Sequence, residues 1–112
     1  MSKITVPRAD LTTDEVVQAL HRGLGQKYNV LPGMRLTLAP FAKPVPGTPD
    51  TIVVGIASNR ARRAQVSIVR RSGVCELQIS PGGLTSDRLL NMVVTTPKVR
   101  RVLADAPQLR EA

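Results

Sequence analysis

Apolar positions at Val16, Val17, Leu20 and Leu24 are spaced for one face of a helix, with Gln18, His21 and Arg22 on the opposite side. The start is written just upstream, in Leu11-Thr12-Thr13-Asp14-Glu15-Val16. Thr12 as N-cap and Glu15 three residues on form a capping-box pattern, and Leu11 and Val16 occupy the two positions of a hydrophobic staple. Asp14 and Glu15 complement the positive end of the helix. Gly23 and Gly25 supply a stop, since glycine tolerates the left-handed conformation there. The preceding residues 1–10 read as a loose lead-in with a short strand at Ile4–Val6, stopped by Pro7.

Beyond the helix the period changes to two. Tyr28-Asn29-Val30-Leu31, a Pro32-Gly33 turn and the alternation Met34, Leu36, Leu38 against Arg35 and Thr37 predict a hairpin of short strands. Residues 40–50 hold four prolines in eleven positions, which forbids helix and removes ladder donors, and predict a loop. Thr51–Ala57 is nearly continuous in apolar residues and predicts a strand at the centre of a sheet, covered on both sides. Ala64–Val69 and Val74–Ser80 complete a three-stranded antiparallel meander, the last with Cys75, Leu77 and Ile79 inward and Glu76 and Gln78 outward.

Pro81-Gly82-Gly83 ends the sheet, and Thr85 or Ser86 can cap a helix running to Val94. Thr96-Pro97 then predicts a restart, with Thr96 as a new cap and Pro97 at the first helical position. Val99, Val102, Leu103 and Ala106 line one face of this second piece, opposite Lys98, Arg100 and Arg101; Pro107 ends it, leaving residues 107–112 as a tail. The sum is a single α+β domain spanning residues 1–112. It has an antiparallel sheet of about five strands, a hairpin plus a three-stranded meander. The N-terminal and C-terminal helices are expected to pack on one sheet face.

Composition changes this picture at two points. The chain has 112 residues and no tryptophan, and Tyr28 and Phe41 are its only aromatics, so its core is aliphatic. The net charge is +8, from sixteen Lys and Arg against eight Asp and Glu. That excess makes an acidic protein or a nucleic acid the candidate partner. Twelve of the sixteen cations are arginine, a bias that GC-rich coding also produces. There is no signal-peptide pattern and no apolar run of membrane-spanning length, and a lone cysteine, Cys75, suits a reducing compartment; the cytoplasm is the expected location.

The charge concentrates in Ser58–Gly73, which carries five arginines and no acid. With Ala64, Val66 and Ile68 inward, Arg63 and Arg71 face the open side of the sheet, ~26 Å apart at ~3.3 Å per residue, with Gln65 and Ser67 between them. Arg60 and Arg62 crowd one end of the strand and Arg70 the other, its stem running along the core edge. Arg60, Arg62, Arg63, Arg70, Arg71, Arg100 and Arg101 are therefore the candidate contacts for an anion or a nucleic acid backbone. The stacking aromatics of sheet-based RNA binders are missing.

Other chemistry finds little support. His21 reads as a surface residue without an orienting carboxylate, and Cys75 as a small buried hydrophobe. One histidine, one cysteine and scattered acids offer no metal cluster, no Walker or Rossmann glycine loop is present, and no cofactor is expected. Ser80–Leu84 leads from strand to helix, where backbone amides can hold an anion, but Asp87 would repel one.

The stretches RADLTTDEVVQALHRGLGQKYNVLPGM, TIVVG and LQISPGG resemble small uncharacterised basic proteins of high-GC actinobacteria. The resemblance spans most of the chain and implies a bacterial, cytosolic, single-domain protein; it carries over no catalytic or binding residue. The expected function is thus a non-enzymatic binding or accessory module that acts through its open sheet face or its proline loop. The alternatives are nonspecific nucleic-acid binding by the basic strand ends, and an apolar ligand carrier with Met34 and Met92 lining a cavity.

Overall fold

The computed structural model describes residues 2–37, 43–56, 58–82 and 86–110, and the side chains of all of these but residues 60, 86 and 87. Leu38, Ala39, residues 40–42, Ala57 and residues 83–85, on which parts of the expected hairpin, loop and helix cap fall, lie outside the described residues. The fold is α+β. Strand β1 (Ser2–Val6) leads into helix α1 (Thr13–Leu24), followed by β2 (Tyr28–Pro32), β3 (Met34–Arg35), β4 (Val45–Pro46), β5 (Thr51–Ile56), β6 (Asn59–Arg71) and β7 (Val74–Pro81). A helical segment closes the chain: α2 (Ser86–Leu90), a π-turn (Asn91–Thr95) and α3 (Thr96–Ala104), then a 3-10 turn at Pro107–Leu109.

Helix α1 forms where its local chemistry places it. Thr12 is extended (φ −100°, ψ 157°), its Oγ1 accepts from the Glu15 N–H at 3.2 Å, and Glu15 Oε1 accepts from the Thr12 N–H at 3.2 Å. The chain leaves through Gly25 at φ 79°, a region that side-chain-bearing residues enter only at a cost. Leu11 and Val16 are both buried.

Five strands form one antiparallel sheet in the order β1-β7-β6-β5-β2, and β3 pairs with β4 alone. Two expectations change here. Met34–Arg35 does not return along β2; it pairs Met34↔Pro46 and Arg35↔Val45, while β2 pairs with β5 from Tyr28↔Ile56 to Pro32↔Ile52. The fifth strand is the N-terminal one, which pairs with β7 from Ser2↔Ile79 to Val6↔Cys75. β5 lies inside the sheet, but β6 holds the centre. Strand order depends on contacts distant in sequence, which a local pattern does not carry.

Alternation sorts the sheet's side chains. Ile4, Val6, Val30, Ile52, Val54, Ala64, Val66, Ile68, Cys75, Leu77 and Ile79 join Val16, Leu20 and Leu24 of α1 and Val99 and Leu103 of α3 in one hydrophobic cluster. The other sheet face carries Gln65, Ser67 and Val69 on β6 and Glu76 and Gln78 on β7, all part-exposed. One end of it is covered. Val53 is buried there, the Leu36 N–H donates to Gln65 Oε1 at 2.9 Å, and a Cβ on Gly82 would lie 2.8 Å from Leu36 Cδ1.

The C-terminal helix does not restart at Thr96. Thr96 is helical (φ −60°, ψ −47°) with no side-chain cap, and its N–H bonds five residues back to the Asn91 carbonyl. Pro97 has no N–H to give and its ring crowds the preceding turn. A wider π-turn placed before it lets α2 run into α3 without a break. Asn91 holds that turn to the sheet. Its amide nitrogen donates to the carbonyls of Ala61 (2.6 Å) and Gly82 (2.9 Å). Its oxygen accepts from the Arg63 N–H (3.0 Å) and the Thr95 hydroxyl (2.7 Å).

Candidate functional site

The arginines of β6 part company along the strand. At its C-terminal end Arg70 Nη1 pairs with Asp50 Oδ1 at 2.6 Å, and its Nη2 donates to the Leu11 carbonyl at 2.8 Å. Arg71 Nε stands 3.8 Å from Glu76 Oε2. Glu76 lies below the ordinary glutamate range, because Gln78 Nε2 donates to it at 2.7 Å and, secondarily, because Lys3 and Arg71 are near. This end of the strand is neutralised by its neighbours.

The N-terminal end is built differently. Arg63, expected on an open face, is 7 % exposed. It stands opposite Gly55 in register. Gly82, on its other side, donates its N–H to the Arg63 carbonyl. A Cβ on either glycine would come within 3.2 Å of the Arg63 stem, so the two glycines leave the space that the stem fills. Next to it the ladder breaks: the register passes from Gly55↔Arg63 to Ile56↔Asn59, leaving residues 60–62 of β6 without partners on β5. The side chain of Arg60 lies outside the described residues.

Arg62 lies in this bulge and lines a cavity of about 650 Å³ with Lys27, Tyr28, Ser58, Asn59 and Lys98, and no acid is among the described residues that line it. The Lys98 ammonium lies 5.1 Å from the centroid of the Tyr28 ring, a cation–π contact that holds it at the cavity. Arg62 Nε is buried and has no hydrogen-bond partner among the described residues. Three chain segments thus bring their cations together: the loop after α1, the β5–β6 turn with its bulge, and the first turn of α3. Arg100 and Arg101 are exposed on α3, and Arg101 lines a groove beside Gly23 of α1. Lys98 of α3, together with Lys27, is what joins Arg62 in the cavity. Lys27 carries no local signal; only the packing of α3 near the α1–β2 loop gives it a place.

The second feature is apolar. Leu89, Leu90, Met92, Val93 and Val94, across α2 and the π-turn, are all exposed, Val93 at 71 % and Leu89 at 63 %. Val93 and Val94 continue into a groove of about 460 Å³ with Pro97 and Val102, and Lys98 and Arg101 also line it. The floor of the groove is set by close packing of α1 on α3: a Cβ on Gly23 would collide with the Val102 side chain.

The remaining titratable groups have structural work. Arg8 Nη1 meets Glu15 Oε2 at 2.6 Å and its Nε meets Asp10 Oδ1 at 3.1 Å. These bonds hold both carboxyls below their ordinary range and raise the arginine further above its own. His21 is exposed and Cys75 fully buried. Among the described residues no three His, Cys, Asp or Glu side chains gather to hold a metal ion, and no helix is long and apolar enough to cross a membrane. No family model matches this chain, no curated protein matches it, and no solved structure matches it.

Proposed function

We propose that this protein is a small, non-enzymatic, cytosolic binding module that docks an apolar segment of an acidic partner protein on the ridge formed by α2 and the π-turn. The observation that carries this reading is the run of exposed Leu89, Leu90, Met92, Val93 and Val94. Large apolar side chains gathered on one surface mark interaction sites, whereas single ones do not. In this reading both end helices cover one face of the sheet, and the ridge is the part of the C-terminal helix left over for a partner.

Charge selects the occupant. The groove beside the ridge carries Lys98 and Arg101 and no acid among the described residues, and the chain as a whole has a net charge of +8. A second copy would bring the same cations to the same lip, at a cost in repulsion. An amphipathic acidic helix would set its apolar face on Val93 and Val94 and its carboxylates against Lys98 and Arg101. Contact moves from the open sheet face and the proline loop to the helical ridge. Arg70 and Arg71 already have acid partners within the fold, which weakens the nucleic-acid alternative.

A designed Leu/Glu amphipathic helical peptide, titrated into the labelled full chain, tests the proposal. Saturable shifts at residues 89–102, lost in Val93→Asp with Val94→Asp and kept in Arg71→Gln, are the expected result. Binding that survives the double substitution would overturn it. So would a concentration-dependent dimer of the unliganded protein that Val93→Asp dissolves, since the ridge would then be a self-contact.

A further inference from the structure

We infer that the cavity between the α1–β2 loop, the β5–β6 turn and the start of α3 is a binding site for the phosphoryl group of a small phosphorylated molecule. It shares Lys98 with the groove beside the apolar ridge, but it does not rest on the function proposed there. Three observations converge. Lys27, Arg62 and Lys98 line one cavity, with no acid among the described residues that line it. The one guanidinium of the three has its Nε buried, with no partner among the described residues. A donor in that state carries a desolvation cost. And the β5–β6 ladder slips beside Arg62, between Gly55 and Ile56. Such bulges are over-represented next to sites.

The chemistry favours a phosphate over a carboxylate. Three cations complement a dianion better than a single negative charge. A guanidinium offers a planar fork of N–H donors to phosphate oxygens, while the two ammonium groups act as point charges. Ser58 and Asn59 add neutral polar side chains at the same wall. A volume of about 650 Å³ admits a group beyond the phosphate, within the size of common ligand sites. A nucleic acid strand would need a basic track leading away from the cavity along β6. The far end of that strand is already paired with Asp50 and Glu76. The fixed position of Lys98 over Tyr28 keeps one ammonium in place before a ligand arrives.

The test is a titration of the isotopically labelled full chain with pyrophosphate at low salt, followed by amide shifts. Saturable shifts centred on Lys27, Ser58, Asn59, Arg62 and Lys98 are expected, with affinity falling by about tenfold in Arg62→Gln. Lys27→Gln, an exposed loop substitution, should weaken binding in the same direction and keeps the test valid if Arg62→Gln perturbs the bulge. Arg101→Gln and Val93→Asp should leave pyrophosphate affinity unchanged, which separates this site from the ridge. Non-saturating shifts spread equally over Arg22, Arg100 and Arg101 would overturn the inference in favour of a diffuse ion atmosphere. Unchanged affinity in both Arg62→Gln and Lys27→Gln would also overturn it. So would tighter binding of a short oligonucleotide lacking terminal phosphates at the same amides, since the ligand would then be a phosphodiester backbone.

Discussion

The two ends of β6 carry the same residue type and are built to opposite ends. Arg70 and Arg71 meet Asp50 and Glu76, supplied by the chain just before β5 and by β7. Arg63 stands opposite Gly55, and Gly82 donates its N–H to the Arg63 carbonyl. One end is closed by ion pairs that draw on side chains already at the surface. The other is closed by a buried neutral amide, Asn91, and leaves Arg62 turned into a cavity. A count of arginines along the strand treats the two ends as alike. What distinguishes them is which side chains the neighbouring strands place opposite.

The sharpest way to break this comparison is to remove the amide. Asn91 is fully buried and joins Ala61, Arg63, Gly82 and Thr95 through four hydrogen bonds. Leucine has the same branched heavy-atom skeleton, with two methyl groups in place of the amide oxygen and nitrogen. Asn91→Leu leaves two carbonyls, an N–H and a hydroxyl without their partner, each worth about 1–3 kcal/mol when buried. The partners are neighbours, so the costs do not simply add. A loss of at least about 3 kcal/mol in denaturant unfolding is expected, with early loss of hydrogen-exchange protection at Arg63. If the variant is as stable as the parent, Asn91 is not the tie that holds the π-turn to β6 and β7.

The paired end should respond less. Arg70 loses an ion pair and a hydrogen bond to the Leu11 carbonyl in Arg70→Gln, but its side chain is 38 % exposed and water can replace both. About 1 kcal/mol is expected from the same unfolding measurement. A cost above that of Asn91→Leu would reverse the ranking of the two ends. Thr12→Ala, in the capping box of α1, gives an independent scale at about 1 kcal/mol.

The same contrast explains what could be read from sequence. The capping box, the staple and the Gly25 stop of α1 are each set by residues within a turn or two in sequence, so the pattern contained them. The inward set Cys75, Leu77 and Ile79 was legible for the same reason: alternation is local. The pairing of β2 with β5 instead of Met34–Arg35, and of β1 with β7, required knowing which distant strands meet. The continuation of the helix through Thr96-Pro97 depends on a π-turn that Asn91 fixes to residues about thirty positions away. For the candidate site, Arg62 was singled out as basic and placed only as crowding one end of the strand. The cavity beside it forms only where the α1–β2 loop and α3 meet that end. Lys27 gave no sign at all. The ridge at 89–94 was legible as helix, but which of its side chains would remain uncovered was decided by how α3 packs.

The smallest expected effect concerns the paired end alone and asks what its ion pairs contribute. Glu76 has three neighbours that favour its charged form: Gln78 at 2.7 Å, and Arg71 and Lys3 at 3.8 and 3.9 Å. A short hydrogen bond to a carboxylate outweighs two long contacts between solvated charges. The folded-state pKa is therefore depressed chiefly by Gln78. The sign follows from the depression: the contribution to stability is present above the ordinary glutamate pKa and is lost as pH falls through the lower folded value. A carboxyl-detected titration should show the Glu76 midpoint below the ordinary glutamate range. Gln78→Leu should raise that midpoint more than Arg71→Gln does. If Arg71→Gln moved it further, the guanidinium would be the principal holder of the charge, and the paired end of β6 would rest on its ion pairs more heavily than their lengths allow.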